Sequence, residues 1–219
     1  MDLKEKRKLE MDHQKERRKD EIVLIAIEVF KDKGIDKTKM TDIAEMAEIG
    51  VATLYRYFNT KFELVMASAT ALWEQKISIL YSKLYEPAFM EQNGAERVRI
   101  ILSLFIDIYQ KYPEFISFLE HFDNYIVKES IPLEKLEGYE SVIINPKASI
   151  FSAIDQGKKD GSIKSNIDND IFYITITHSL MSLCQKLILR GTILRSDKDV
   201  EGETQLKLLI DMAMVYLIH

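Results

Sequence analysis

The stretch that decides the fold is TKMTDIAEMAEIGVATLYRYFNTK, residues 38–61. Two apolar faces at helical spacing run through it, formed by Ile43, Ala44 and Ala47 and then by Leu54 and Phe58. Each segment is too short to be a stable helix alone, so we expect the two to pack on each other across a tight connection. The side chains between these apolar positions carry hydroxyl groups and cations that can donate to phosphate. The pattern predicts a helix-turn-helix whose second helix faces DNA.

Composition favours a helical protein with a sizeable core. The chain has 219 residues, of which 47% are hydrophobic and 30% are charged. It contains 8 Gly and 4 Pro, too few for many strands joined by tight turns. We therefore expect an all-α fold of about nine helices. The net charge is −5 at pH 7, but residues 1–65 hold 14 basic and 14 acidic residues, so the acidity lies outside the proposed DNA-reading segment.

The sequence gives no indication of secretion or of membrane insertion. Its single cysteine, Cys184, cannot form an internal disulfide and suits a reducing compartment. The N-terminus is charged and lacks the apolar core of a signal peptide. Apolar runs such as residues 100–106 and 208–218 are short or interrupted by polar residues. These features predict a cytoplasmic protein with no membrane partner.

A charged N-terminal tail, residues 1–19, precedes the folded part of the chain. It contains both signs of charge and few apolar residues, which is typical of a solvated and partly helical segment. The alternative is a basic arm that reaches DNA through Arg17, Arg18 and Lys19.

Two domains are expected after the tail. Residues 20–62 form the predicted three-helix helix-turn-helix domain, with Asp20 as the N-cap of its first helix and Gly34 as that helix's stop. Residues 63–219 form a larger helical domain for effector binding and dimerisation. It begins with a long helix that follows a cap at Asn59 or Thr60 and continues to about residue 84.

Residues 20–66 resemble the DNA-binding domain of the TetR (AcrR) family of transcriptional regulators. The resemblance is carried by Phe30 with Gly34, Thr38, Asp42-Ile43-Ala44, Ala47, Thr53-Leu54-Tyr55, Tyr57-Phe58, Lys61 and Leu64. Three positions depart from the family pattern: Glu48 and Ala52 replace glycines, and Gly50 replaces a serine. We expect Gly50 to supply the flexibility of the turn two residues late.

The resemblance implies which side chains touch DNA. Thr53, Tyr55, Tyr57 and Lys61 match positions that contact the phosphate backbone, and Lys61 begins a helix whose N-terminus also attracts phosphate. The remaining outward residues of the second helix are Gly50, Val51, Ala52 and Arg56. Arg56 is the only long donor among them, and we expect it to contact a base, preferably guanine. Thr38, the expected N-cap of the preceding helix, completes the predicted DNA-binding set. The alternatives are packing roles for both tyrosines and an internal hydroxyl bond for Thr53.

The larger domain is rich in aromatic and amphipathic side chains that suit a ligand pocket. In the family that it resembles, a small molecule bound there moves the long helix and changes the spacing of the DNA-binding domains. The predicted ligand-binding residues are Trp73, Phe105, Tyr109, Phe118, His121, Phe122, Tyr125, Phe151, Tyr173 and His178. We expect a small apolar or amphipathic effector. The alternative for each residue is ordinary core packing.

The last two predicted helices, residues 168–190 and 200–218, are apolar on more than one face. Their apolar residues predict a homodimer interface of four helices, two from each copy, as in the family. The predicted interface residues are Ile176, Leu180, Leu183, Leu187, Leu206, Leu209, Ile210, Ala213 and Leu217. The alternative is a helix pair buried within one chain.

The preferred function is therefore a ligand-responsive repressor that binds a palindromic operator in double-stranded DNA as a dimer. A second hypothesis is a DNA-binding structural or cell-division regulator of the same fold without an effector. An enzyme is the third class, but no phosphate loop, nucleophile elbow, carboxylate pair or metal-ligand spacing occurs. We expect no catalytic residue, no metal and no cofactor.

Overall fold

The computed structural model describes residues 2–143 and 145–218, and the regular elements within these ranges are all helical. This confirms the predicted all-α fold with an N-terminal helix-turn-helix. The α-helices are α1 (Leu3–Lys33), α2 (Met40–Met46), α3 (Val51–Tyr57), α4 (Lys61–Leu72), α5 (Ser78–Ser82), α6 (Pro87–Met90), α7 (Gly94–Lys111), α8 (Pro113–Lys128), α9 (Glu137–Ile143), α10 (Asn145–Asp160), α11 (Asn169–Arg190) and α12 (Gly202–Ile218). A π-helical turn (Trp73–Ile77) joins α4 to α5.

The first helix is longer than its sequence suggested. Asp20 lies inside α1, which begins at Leu3, so the prediction that Asp20 caps a helix after a partly helical tail is wrong. Charge pairs one turn apart support the continuous helix, with Arg18 2.7 Å from the Glu21 carboxylate. The end at Gly34 is as predicted. Gly34 has φ of +77°, which favours glycine, and its N–H donates to the Phe30 carbonyl at 2.8 Å.

The fourth helix is capped as expected but is not uniform. The Glu63 N–H donates to the Thr60 hydroxyl at 3.1 Å, and the Glu63 carboxylate accepts from the Asn59 N–H at 2.9 Å. The predicted single helix to about residue 84 is instead α4, the π-helical turn, α5 and a 3₁₀ turn. Trp73 begins the π-helical turn, and its indole N–H donates to the Tyr139 hydroxyl at 2.8 Å.

The chain divides into two compact units. Unit 1 is Met1–Ala71 with His121–Ile131, and unit 2 is Leu72–Glu120 with Pro132–His219. The predicted domain limits, 20–62 and 63–219, stay a prediction. The core of unit 1 gathers one apolar stripe from each of its first four helices, including Ile22, Phe30, Ile43, Leu54 and Leu64.

Unit 2 is built around α7, which packs against α10, α11 and α12. The crossing of α7 with α10 is close because both helices have a glycine there: a β-carbon at Gly94 would overlap the backbone nitrogen of Gly157. The N-terminus of α7 is tied to the turn after α10. The Gly94 N–H donates to the Asp160 carboxylate at 2.9 Å, and the Ala95 N–H donates to the Ser162 hydroxyl at 3.1 Å.

One described helix, α11, is long and apolar enough to cross a membrane by length and composition alone, with mean hydropathy 1.2. The sequence had suggested no such helix. A core helix passes the same test, and Phe172, Leu180 and Cys184 of α11 are buried within unit 2.

Candidate nucleic-acid interface

The turn between α2 and α3 is made by Glu48. Glu48 has φ of +54°, the left-handed region that favours glycine. Its N–H donates to the Glu45 carbonyl at 3.1 Å, and the Ile49 N–H donates to the Ala44 carbonyl at 3.0 Å. These two bonds close α2 with a Schellman motif, whose left-handed position is usually glycine. The expectation that Gly50 supplies the turn is wrong, because Gly50 is in extended backbone at φ of −66°.

The outward face of α3 is as the sequence predicted. Leu54 is fully buried, whereas Val51, Ala52, Tyr55 and Arg56 are exposed. These four positions are spaced one, three and one residues apart, so they share one side of the helix. Tyr55 is 46% exposed, which argues against the packing alternative. Exposed Gly50 is the N-cap of α3, and Thr53 and Tyr57 are half-buried beside the exposed face.

Thr38 is placed differently from the prediction. Its side chain is only 2% exposed, and its hydroxyl donates to the Gly34 carbonyl at 2.8 Å. Both features fit a structural role in the α1–α2 connection and leave no hydroxyl proton for a phosphate. The N-cap of α2 is Lys39, whose N–H donates to the Asp42 carboxylate at 2.8 Å.

Lys61 begins α4, and its ammonium group is held by two neutral groups. Nζ lies 3.4 Å from the backbone carbonyl oxygen of Asp36 and 5.4 Å from the centre of the Tyr125 ring. Burial lowers the pKa of Lys61 from its usual value, and the negative charge of Asp36 opposes that shift. The Asp36 carboxylate itself pairs with Lys128, 2.9 Å away.

Three residues predicted to line a ligand pocket belong to unit 1. His121, Phe122 and Tyr125 lie on the part of α8 that belongs to the same compact unit as α1, α2 and α3, so the structure does not group them with the other seven. Tyr125 is buried under Lys61. His121 borders an open groove of about 720 Å³ with mixed charge, lined also by Lys31, Asp32, Lys33, Gly34, Ile35, Asp36, Lys37, Asn124, Val127 and Lys128. Sequence spacing had placed His121 and Tyr125 on one face but could not show what that face packs against.

The basic residues at the end of the proposed tail contact the fold itself. Arg18 donates to the Ala47 carbonyl at 3.2 Å, so it supports the C-terminus of α2 from α1. The ammonium of Lys19 lies 5.7 Å from the centre of the Phe58 ring. Arg17 is 81% exposed and 3.9 Å from Glu21. The alternative of a free basic arm is therefore limited to Arg17 among these three. The sequence contains no local signal for the Arg18 contact, because 29 positions separate it from Ala47.

The other seven predicted ligand residues lie in unit 2. Phe105 and Phe118 are buried, and His178 is exposed. Trp73 packs edge-to-face on Phe115, with ring centres 5.1 Å apart, and Tyr109 lies against Gly202. Three grooves are described on the surface of the protein, and these seven side chains line none of them. Their role in ligand binding stays a prediction.

Phe151 and Tyr173 form a small aromatic cluster with a cation. Their ring centres are 6.0 Å apart, and the Lys147 ammonium lies 5.0 Å from the first ring and 5.9 Å from the second. Lys147 also pairs with Asp170 at 2.8 Å. Burial raises the pKa of Tyr173 and of nearby Tyr81. Two of the predicted ligand residues, Phe151 and Tyr173, thus contact a charged side chain.

The face of α11 and α12 differs from the predicted dimer interface. Most predicted residues are buried inside their own chain: Ile176, Leu180, Leu206, Ile210, Ala213 and Leu217; Leu183, Leu187 and Leu209 are half-buried. The alternative of an internal helix pair therefore explains most of this set. Other apolar residues on the same helices are exposed, namely Ile171, Ile174, Leu208, Met212, Val215, Tyr216 and Ile218. An apolar groove of about 360 Å³ runs between the helices and includes Met212 and Tyr216.

A comparison with known protein families supports the helix-turn-helix interpretation of α2 and α3. Residues 22–67 match the family model described as bacterial regulatory proteins, tetR family. These residues are similar to the DNA-binding domain of the TetR family. Members of this family are DNA-binding regulators and not enzymes. The match covers α1 from Ile22 to the first half of α4, which includes each residue of α2, the turn and α3.

Two curated relatives share segments with this chain. It is 45% identical over 49 residues to the HTH-type transcriptional regulator LuxR of Vibrio harveyi, covering 22% of this chain and 24% of that protein. It is 30% identical over 110 residues to the nucleoid occlusion factor SlmA of Mannheimia succiniciproducens, covering 50% of this chain and 49% of that protein. The matched segments thus span half or less of these two relatives.

The fold extends the likeness over most of the chain. The transcriptional regulator FadR of Bacillus subtilis, solved in complex with stearoyl-CoA, superposes with a TM-score of 0.63 at 15% identity. The superposition covers 88% of this chain and 96% of that one. At this identity the likeness shows that the two proteins share a fold.

Proposed function

We propose that this chain is a cytoplasmic transcriptional regulator of the TetR family that binds a palindromic operator in double-stranded DNA as a homodimer and acts as a repressor. The observation that carries the proposal is the exposed face of α3. It presents Tyr55 and Arg56 to solvent, while Leu54 on the opposite side of the helix is fully buried. A short helix with a buried inner face and outward donors is the recognition element of a helix-turn-helix.

Each predicted contact has a distinct task within this surface. Lys61, at the N-terminus of α4, would bind phosphate, which orients the protein on DNA without reading its sequence. Arg56 would read a base edge, because its guanidinium can make two parallel bonds to guanine. In the described part of the chain Arg56 makes no hydrogen bond or ion pair, so its donors are free for DNA. Tyr55, Thr53 and Tyr57 would contact the backbone from the same side.

The dimer is proposed through the exposed apolar residues of α11 and α12. Leu208, Met212 and Tyr216 recur every four residues along α12, so they form one stripe. Large contiguous apolar surfaces typically mark interfaces in soluble proteins. A twofold pair would place two α3 helices about 34–36 Å apart, one turn of DNA, or further in wider arrangements.

The effector is proposed to be a small apolar or amphipathic molecule bound in unit 2, whose binding releases the DNA. The shared fold with a regulator solved with stearoyl-CoA supports this class of ligand. The aromatic cluster of Phe151 and Tyr173 beside Lys147 would suit a molecule with an apolar body and an anionic end, which would take the place of the Asp170 carboxylate beside Lys147.

A second candidate is a DNA-binding structural or cell-division regulator without an effector. It is favoured by the 30% identity to a nucleoid occlusion factor. It is also favoured by the burial of Phe105 and Phe118, and by the fact that the seven predicted ligand residues of unit 2 line none of the described grooves. Mass spectrometry of the purified protein separates the two candidates. A small molecule that co-purifies and is displaced by DNA supports the effector, since linkage between two sites is reciprocal.

DNA binding is tested by selecting the duplexes that the protein binds from a random-sequence pool. The affinities of the variants for the selected duplexes and for random duplexes are then compared. Lys61→Ala should weaken binding to selected and random duplexes alike and lower the salt slope by about one unit. Lys207→Ala, in α12, is the control and should change neither the affinity nor the salt slope.

Arg56→Lys keeps the charge but loses the two-bond geometry. It should lower the preference for one base pair per half-site, worth about 1–3 kcal/mol, while affinity for random DNA stays the same. If Lys61→Ala and Arg56→Lys bind like the unaltered protein, α3 and α4 do not form the DNA interface.

A further inference from the structure

Tyr125, on α8, lies under the lysine that is proposed to bind phosphate. The ring of Tyr125 is buried, with 6% exposure, and its centre is 5.4 Å from the Lys61 ammonium. The Asp36 carbonyl accepts from the same ammonium at 3.4 Å. Three segments that are distant in sequence therefore meet at one cation: the α1–α2 connection, the start of α4 and the end of α8.

Both groups that hold Lys61 are uncharged, so neither competes with a DNA phosphate for its positive charge. A carboxylate at this place would neutralise the ammonium and compete with phosphate for it. The Asp36 carboxylate pairs instead with Lys128 at 2.9 Å, although the charges of Asp36 and Glu129 still act on Lys61. No salt bridge engages Lys61 in the described residues, so its ammonium stays available for a phosphate while its flexible side chain is restrained. An ammonium has three donors, so one donor remains for a phosphate after those directed at the carbonyl and the ring.

We propose that Tyr125 is a positioning residue for DNA binding: its ring holds the Lys61 ammonium in place for a DNA phosphate. The inference rests on the proposed function, in which Lys61 contacts DNA. An unrestrained lysine loses rotamer freedom when it binds DNA, and this loss weakens binding. A lysine that the Tyr125 ring already holds has lost that freedom on folding, so its binding to DNA is weakened less. Attraction between a cation and the face of an aromatic ring supplies the restraint without removing the charge.

The test measures the affinity of the full-length protein for random-sequence duplexes of about 40 bp, because a phosphate contact needs no particular sequence. Tyr125→Leu removes the ring and keeps an apolar side chain, and it should lower affinity about two- to tenfold per protomer. Tyr125→Phe keeps the ring and should bind within about twofold of the unaltered protein. In a Lys61→Ala background, Tyr125→Leu should have no further effect, since the residue that it positions is gone.

Each contrary result has a definite meaning. Unchanged or tighter binding by Tyr125→Leu, with Lys61→Ala still weakened, overturns the inference alone. An equal loss from Tyr125→Leu in both backgrounds also overturns it, because the loss then reflects a change in the fold. Thermal unfolding of each variant, followed by circular dichroism, measures that change directly. If Lys61→Ala binds as well as the unaltered protein, the assignment of Lys61 to phosphate fails, and the role of Tyr125 fails with it.

Discussion

Replacing Glu48 with glycine should stabilise this protein, although the change removes a side chain. Glu48 has φ of +54° at the left-handed position of the turn between α2 and α3. A side chain in that conformation brings its β-carbon close to the carbonyl oxygen and costs about 1–2 kcal/mol. Glycine has no β-carbon and so avoids the cost, but it gains about 0.4–1 kcal/mol of chain freedom in the unfolded state. The balance favours Glu48→Gly by about 0.5–1 kcal/mol.

The structure shows little that the substitution would remove. The Glu48 side chain is exposed, and it makes no hydrogen bond or ion pair in the described residues. The two bonds that close α2 are made by the backbone N–H groups of Glu48 and Ile49, and glycine keeps both. For a chain of this size the gain corresponds to a Tm about 2 °C higher.

The matched control is Glu45→Gly, which makes the same chemical change in the last turn of α2. Glu45 is exposed and right-handed, so glycine there should destabilise by about 1 kcal/mol. Glu48→Ala removes the charge but keeps the β-carbon and should change stability by less than about 0.5 kcal/mol. Thermal and urea unfolding followed by circular dichroism measures all three variants. The reasoning is refuted if Glu48→Gly and Glu45→Gly change stability in the same direction.

Two further substitutions test the packing of unit 2 and the proposed dimer. Gly94→Ala should destabilise by about 3 kcal/mol in urea unfolding, because its β-carbon would meet the backbone of Gly157. Gly138→Ala, a helical glycine with open space around it, should instead be neutral or stabilise by up to about 1 kcal/mol. Met212→Lys, at a side chain 61% exposed on α12, should convert the dimer to a monomer in analytical ultracentrifugation. Leu133→Lys, at a side chain 72% exposed and outside both α11 and α12, should leave the dimer intact, and a monomeric unaltered protein would contradict the proposed interface.

The helix-turn-helix is predicted correctly wherever the prediction depends on the local spacing of apolar residues. The apolar spacing that places Leu54 inward and Arg56 outward needs only a helical period, and each of these residues lies as that period predicts. The left-handed position of the turn between α2 and α3 was predicted wrongly. Residue preference assigned the left-handed turn to Gly50, but the position is fixed by the hydrogen bonds that end α2, and the chain accepts a strained glutamate there.

Sequence reasoning was weaker wherever the answer depended on tertiary packing. Sixty-four positions separate Lys61 from Tyr125, and no pattern within either helix indicates that they meet. The dimer prediction names residues of α11 and α12 that are mostly buried within the chain, and the interface itself stays a prediction. Both α11 and α12 are apolar around much of their circumference, so period alone could not separate buried Leu180 from exposed Met212.

The internal ion pairs of unit 1 explain how a segment with no net charge can bind a polyanion. Several carboxylates near the proposed interface are already engaged. Asp42 lies 3.1 Å from Lys33 and accepts from the Lys39 N–H, and these bonds lower its pKa. Glu63 accepts from the backbone at the start of α4.

The cations of the same surface are treated differently. Lys61 is restrained by a carbonyl and an aromatic ring and is not neutralised. Arg56 is exposed, and no ion pair engages it in the described ranges. Because Asp42 and Glu63 are engaged internally and these two cations form no ion pair in the described residues, the net charge alone does not describe the charge that this surface offers to DNA. The affinity of this surface for DNA should therefore follow the arrangement of a few side chains, and charge-conserving substitutions such as Arg56→Lys become more informative than changes in net charge.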